Sequence, residues 1–298
     1  MIVVLSTAPP DPTEEPSIGD DIDNHDRGLQ FDLQTLFTRR RALGLIGAAG
    51  AAFLVGCSTG SDTSTGIGQG AGSGSGPGTP PGGSSSGQTA DGAIPEETAG
   101  PYPGDGSNGV DVLDDSGIVR SDIRSSFGGA SAVAAGVPLT IALGVTDLDG
   151  KPIKGAAVYL WHCDRDGQYS MYSDAIADQN YLRGVQPTDA DGAVTFTSIF
   201  PACYSGRWPH VHFEVYGSVA DATTSGPIIA TSQLALPESV CKTVYATEGY
   251  PASVANLAQV SLDTDLVFAD DHAVHQLAAM KGNVDTGYTA SLSVPVDA

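Results

Sequence analysis

The sequence predicts a mainly β protein: a β-sandwich core carrying peripheral loops and short helices. Three observations predict it. Residues 93–298 are rich in Val, Thr, Ile and Tyr, the residue types that suit a pleated, half-buried surface. Gly, Asp-Gly and Pro turn signals interrupt them at short intervals. Between those signals lie short segments in which apolar and polar residues alternate, the period of a strand with one buried face.

In chain order, Val137–Val145 reads as a strand and Asp147-Leu148-Asp149-Gly150 as the turn after it. Ala156–His162 alternates as a second strand. Asp189-Ala190-Asp191-Gly192 is a turn that opens onto the strand Ala193–Phe200. Val211–Tyr216 and Ile228–Leu236 follow as strands. Helical pattern is weak and peripheral, at Asn256–Val260 and Ala273–Met280. Short strands at this spacing point to a sandwich.

The first third of the chain has a different organisation. Residues 1–37 are polar and acidic, and Thr38-Arg39-Arg40-Arg41 leads into an apolar run from Ala42 to Gly56. That run is too short and too rich in small residues to span a bilayer securely. Positive, then apolar, then small residues is the order of an export signal. The paired arginines resemble a twin-arginine signal, and Leu54-Val55-Gly56-Cys57 resembles a lipobox whose cysteine takes the lipid. An ordinary signal peptide containing a cysteine is the plainer alternative. The Gly/Ser-rich stretch that follows Cys57 at once favours lipidation. Residues 58–92 are almost wholly Gly, Ser, Thr and Pro, a composition that cannot offset its ordering entropy and reads as a flexible tether. The expected organisation is therefore a signal over 1–57, a tether over 58–92 and one folded domain over 93–298. The expected location is the cell surface, with the lipid as the membrane anchor.

The formal net charge is −22, from 35 acidic and 13 basic residues. Such an excess repels phosphate backbones and anionic lipid headgroups, so no nucleic-acid partner is expected.

The most informative stretch is Tyr204-Ser205-Gly206-Arg207-Trp208-Pro209-His210-Val211-His212. On a strand, a His-x-His pair points both rings to one face. Two imidazoles converging there can share a metal, and a nearby tyrosine can add a phenolate, a hard anionic donor suited to ferric iron. Upstream stand Trp161-His162-Cys163-Asp164-Arg165-Asp166-Gly167-Gln168-Tyr169-Ser170, then Asn180-Tyr181-Leu182-Arg183-Gly184, Thr188-Asp189 and Phe200-Pro201-Ala202-Cys203-Tyr204. From about Glu97 to Leu236 this ordered set resembles the catalytic domain of the intradiol ring-cleavage dioxygenases.

The resemblance implies non-haem Fe(III) held by Tyr169, Tyr204, His210 and His212. It implies a small aromatic diol and O2 as reactants, with the ring opened between its hydroxyls to a cis,cis-muconate-type product. Arg207 matches the arginine that stabilises charge on the bound substrate. Tyr204 matches the tyrosinate that leaves the metal and serves as a base. Gln233 matches a glutamine near the pocket. Thr98-Ala99-Gly100-Pro101-Tyr102 resembles the segment lining the substrate pocket, so Tyr102, Pro103 and Trp208 are candidate pocket residues.

Export makes a disulfide plausible among Cys163, Cys203 and Cys241. Cys163 lies near a strand end beside the proposed site, so a Cys203–Cys241 bridge is the expected pairing. His162 lacks a partner at ligand spacing and reads as a structural hydrogen-bonder, and His272 and His275 as surface or core residues. Asp164, Asp166, Asp189 and Asp191 read as turn chemistry rather than as a calcium site. Two rivals use the same residues differently. A cupin-type metalloenzyme also places His-x-His on a strand, but expects a glutamate about four residues on, where Tyr216 stands. A transthyretin-like spacer would account for Asp149-Gly150-Lys151-Pro152-Ile153-Lys154-Gly155-Ala156 but not for Tyr204, Arg207, His210 and His212.

Overall fold

The computed structural model describes residues 92–298. The signal, Cys57 and nearly all of the tether therefore lie outside the described residues.

Among the described residues eight strands form two four-stranded sheets. They are β1 (Pro138–Thr146), β2 (Ala157–Trp161), β3 (Arg183–Pro187), β4 (Ala193–Ile199), β5 (His210–Tyr216), β6 (Ile228–Ala235), β7 (Ala279–Asn283) and β8 (Gly287–Pro295). One sheet runs β4-β1-β8-β7 and the other β3-β2-β5-β6. Of these strand pairs, β1–β8 is parallel and the others are antiparallel. Among the described residues three short α-helices sit outside the sheets: α1 (Val219–Ala222), α2 (Glu238–Tyr245) and α3 (Pro251–Leu257). This is the expected mainly-β sandwich.

Alternation explains the packing. Leu139, Ile141, Leu143 and Val145 of β1 face inward, in one core with Val158 and Leu160 of β2 and Val211, Phe213 and Val215 of β5. Fully burying one such side chain stabilises the fold by roughly 1.5–3 kcal/mol. The intervening β1 residues are partly exposed, as on a sheet with one wet face. Strand β5 differs, because every residue from His210 to Tyr216 is buried. Its second face lies beneath a further apolar layer that includes Val112, Leu113, Ile118, Tyr169 and Ala202. The loops carrying that layer enclose the even-numbered residues of β5.

Both expected turns form. Gly150 N–H donates to Asp147 O over 3.0 Å, and Gly192 N–H to Asp189 O over 3.2 Å. Gly192 has φ +71°, and a Cβ there would lie 2.3 Å from Val145 O, so the turn that joins the two sheets requires glycine. The weak helical readings are corrected. Pro251 presets φ in the first helical turn and places the helix at Pro251–Leu257, ahead of the expected Asn256–Val260. Ala273–Met280 is not helical: His272 (φ 59°) and Ala273 (φ 54°) are left-handed, and Ala278 N–H donates to Ala235 O as the chain enters β7. The expected Cys203–Cys241 disulfide does not form, and all three described cysteines are buried free thiols. Cys203 Sγ turns to Arg207 O (3.5 Å) and Cys241 Sγ to Leu236 O (3.8 Å), so each packs as a small apolar side chain with a weak donor.

Candidate metal centre

His210 and His212 stand on the outer face of β5, on the side opposite Val211 and Phe213. Their Nε2 atoms are 3.1 Å apart, and Tyr204 Oη is 3.3 Å from His210 Nε2. Tyr169 closes the group, its ring centroid 6.0 Å from that of Tyr204 and 6.3 Å from that of His212. The structure thus brings all four sequence-expected donors together.

Local contacts aim the two histidines. His210 Nδ1 bonds Trp208 O, and a carbonyl can only accept, so Nδ1 carries the proton and Nε2 presents its lone pair. Strand pairing sets Trp161 opposite His212, and the two rings stack at 4.9 Å and 5°. Burial lowers the His210 pKa well below the usual histidine value, and the Arg207 charge lowers it further. Burial does the same to His212, with His210 adding to it. Both rings therefore stay neutral, the state that ligates a metal. Tyr169 is buried and its hydroxyl meets no partner at hydrogen-bond geometry. Burial holds that phenol well above its ordinary value, and the neighbouring Tyr204 raises it further. A desolvated phenol beside two neutral imidazoles fits a cation site, because a cation would compensate its buried polarity. Among the described residues, no group of three or more His, Cys, Asp and Glu could hold a metal, so a site here depends on the tyrosines.

Arg207 is fully buried. It is not a surface arginine facing the acidic exterior. Its Nε–H donates to Asp265 Oδ2 (3.0 Å) and its Nη2–H to Gln233 Oε1 (2.7 Å). Gln233 lies opposite His212 in the β5–β6 register, and its Nε2–H donates to Thr98 O (2.9 Å). The glutamine therefore ties the 98–102 segment to the arginine. Tyr102 reaches the site, its ring 4.9 Å from that of Tyr169. Pro103 contributes through its carbonyl, which accepts from Tyr159 Oη (2.6 Å) and Arg183 Nη1 (2.8 Å). Trp208 departs from expectation. It is buried in the main core with its indole N–H donating to Leu236 O (2.9 Å), so it does not edge a pocket mouth.

Two contributors escaped the sequence reading. Arg183 was visible only as part of a motif, but its guanidinium binds Tyr102 O, Ser170 O and Ser170 Oγ and so joins both loops that flank Tyr169. Asp265 carried no local signal at all. His162 behaves as expected, donating from Nδ1 to Cys163 O and meeting Ser198 Oγ at Nε2, each at 2.7 Å. At the offset where a cupin expects a glutamate, Tyr216 donates its hydroxyl proton to Glu214 Oε2 over 2.7 Å.

Residues 124–225 match the family model described as dioxygenase. The chain is 45% identical over 60 residues to a chlorocatechol 1,2-dioxygenase of Rhodococcus opacus, covering 20% of this chain and 23% of the relative. It is 34% identical over 107 residues to catechol 1,2-dioxygenase 1 of Acinetobacter lwoffii, covering 30% of this chain and 34% of the relative. The matched stretch thus spans about a quarter to a third of these curated relatives. The fold of this chain is similar to that of an intradiol ring-cleavage dioxygenase from Tetranychus urticae, with TM-score 0.55, 24% identity and coverage of 69% of this chain and 94% of that one. The family-model match ends before Gln233 and Asp265.

Proposed function

We propose that this chain is a non-haem Fe(III) intradiol dioxygenase that opens a catechol-type ring between its hydroxyls with O2, giving a cis,cis-muconate-type product. The convergence of Tyr169, Tyr204, His210 and His212 carries the reading, since two phenols and two neutral imidazoles form an oxygen-rich set suited to a ferric ion. What ferric iron supplies when bound is activation of a chelated catechol dianion toward dioxygen. The residues of the chain supply the rest. Tyr204, half-buried beside His210, would, as the phenolate a bound ferric ion favours, take a proton from an incoming catechol hydroxyl and become a neutral phenol. Arg207 keeps its proton at any working pH and, bonded to Gln233 opposite His212, holds a fixed positive charge that would stabilise negative charge on the ring. Tyr102 flanks Tyr169 with an aromatic face, and the surrounding apolar layer limits water.

The test is the visible spectrum of the purified iron-loaded protein, with oxygen uptake on catechol, protocatechuate and hydroxyquinol. Tyrosinate-to-iron charge transfer should colour the protein burgundy. Stoichiometric zinc and no iron in natively produced protein would sink the reading.

We further propose export and lipid attachment at Cys57, supported by Arg39-Arg40-Arg41, the apolar run and the tether composition. No helix among the described residues is long and apolar enough to cross a membrane. Cys57→Ser should then move the protein out of the membrane fraction. Identical fractionation of variant and parent removes the lipid anchor.

A further inference from the structure

We propose that Asp265 is the positioning residue of the site: it holds Arg207 through Nε so that the terminal nitrogens are presented to Gln233 and the substrate. The proposal rests on the reading of Arg207 as the residue that meets the substrate. Asp265 lies outside the matched stretch and 53 positions after His212 in a turn-rich segment.

Asp265 is fully buried, and its carboxylate is shared between two tasks. Oδ1 accepts from Val267 N–H (2.8 Å) and Phe268 N–H (3.0 Å), which fixes the carboxylate to the backbone of its own turn. Oδ2 accepts from Arg207 Nε–H (3.0 Å) and Trp208 N–H (2.6 Å), which fixes the start of the segment leading to His210. A side chain held by main-chain bonds cannot drift with its rotamer. The guanidinium is rigid and planar, so holding Nε orients both terminal nitrogens. One of these donates to Gln233, which bonds onward to Thr98. Gln233 lies opposite His212 in the β5–β6 register, so the bond from Arg207 to Gln233 ties the guanidinium to the strand that carries the two histidines. Burying an ion pair in this way is costly to desolvate and is weak evidence for stability alone. Orientation of a charge that must face developing substrate charge gives it a use.

The experiment is a double-mutant cycle in the full iron-loaded chain with Asp265→Asn and Arg207→Ala. Asn is nearly isosteric, keeps an oxygen for the turn and removes the charge. Three quantities are read: the tyrosinate-to-iron band, anaerobic binding of 4-nitrocatechol by its own absorbance, and kcat with KM. Asp265→Asn should keep the band, weaken 4-nitrocatechol binding and lower kcat by about 10- to 100-fold, the scale of a roughly 1 Å misplacement. In the Arg207→Ala background it should change neither further, because the arginine through which it acts is gone. Parent-like binding and kcat in Asp265→Asn overturn the proposal. So does an equal fold-loss in both backgrounds, which is the signature of a purely structural role. If the parent lacks iron and colour, the proposed function fails first, so the two failures are distinct. If Asp265→Asn does not fold, the parent decides. Loaded with diamagnetic Ga(III), it should show a slowly exchanging Arg207 Nε–H resonance that shifts with 4-nitrocatechol. Exchange as fast as that of surface arginines overturns the proposal.

Discussion

His210 and His212 face each other through their Nε2 atoms at 3.1 Å. Two imidazoles each about 2.1 Å from one ion and roughly at right angles would lie about 3.0 Å apart, so the pair is spaced for a shared metal. His212→Ala should therefore cut iron content to a small fraction of the one ion per chain expected of the parent, measured by metal analysis after equal loading. Tyr204→Phe should retain more iron but lose or strongly shift the visible band. An unchanged spectrum in Tyr204→Phe removes that tyrosine from the metal.

Tyr169 predicts a proton count. Its buried phenol stays protonated without a metal, and a phenolate is what ligates. Loading iron at neutral pH in weak buffer should release about one more proton per ion from the parent than from Tyr169→Phe. Equal release from the two proteins means that Tyr169 does not ligate.

Arg207→Ala carries two costs that separate experimentally. Its loss should lower kcat by ~100-fold or more, with KM moving less, because the charge it opposes is largest in the transition state. It also leaves the Asp265 carboxylate buried without its cation, a loss of about 3–5 kcal/mol of stability. Arg207→Lys should be a poor replacement, since an ammonium cannot bridge Asp265 and Gln233 in one plane. Steady-state kinetics alongside denaturant melts decide this. Near-parent kcat in folded Arg207→Ala takes the arginine out of the reaction.

Glu97 predicts a pH dependence of stability. Burial raises its carboxyl from 4.5 to about 8; Asp270 and Asp271 add to the rise, and Gln276 and Arg207 oppose it. A folded pKa above the unfolded one means that the folded state binds the extra proton. The contribution is fully present below about pH 4.5 and is lost as pH rises through about 8. Between about pH 5 and 9 the Tm of the parent should fall relative to that of Glu97→Gln, which cannot ionise. Parallel Tm profiles would show that the carboxyl titrates normally.

Alternation made the fold class legible, because Leu139, Ile141, Leu143 and Val145 mark an inward face without any knowledge of their partners. The turns were legible too, since Asp-x-Asp-Gly chemistry is local. Strands β3, β7 and β8 were not. Arg183–Pro187 alternates poorly because both faces are covered at its start, and Ala279–Asn283 is an exposed edge with little apolar signal. The helix expected at Ala273–Met280 failed for a similar reason: its pattern was local, but pairing with Ala235 prevailed.

The sequence alone set the strand period, the turns and the His210-x-His212 pair on one strand face, all written over a few residues, while Tyr169, 35 positions before Tyr204, entered only through the ordered motifs. Packing brought by the fold leaves Cys203 and Cys241 unbridged, puts Trp208 in the core and holds Arg207 between Asp265 and Gln233. The physical reason is range. Hydrophobic period and turn conformation are written over a few residues. A buried charge finds its partner wherever folding brings one, here 58 positions along the chain, and no local pattern records that distance.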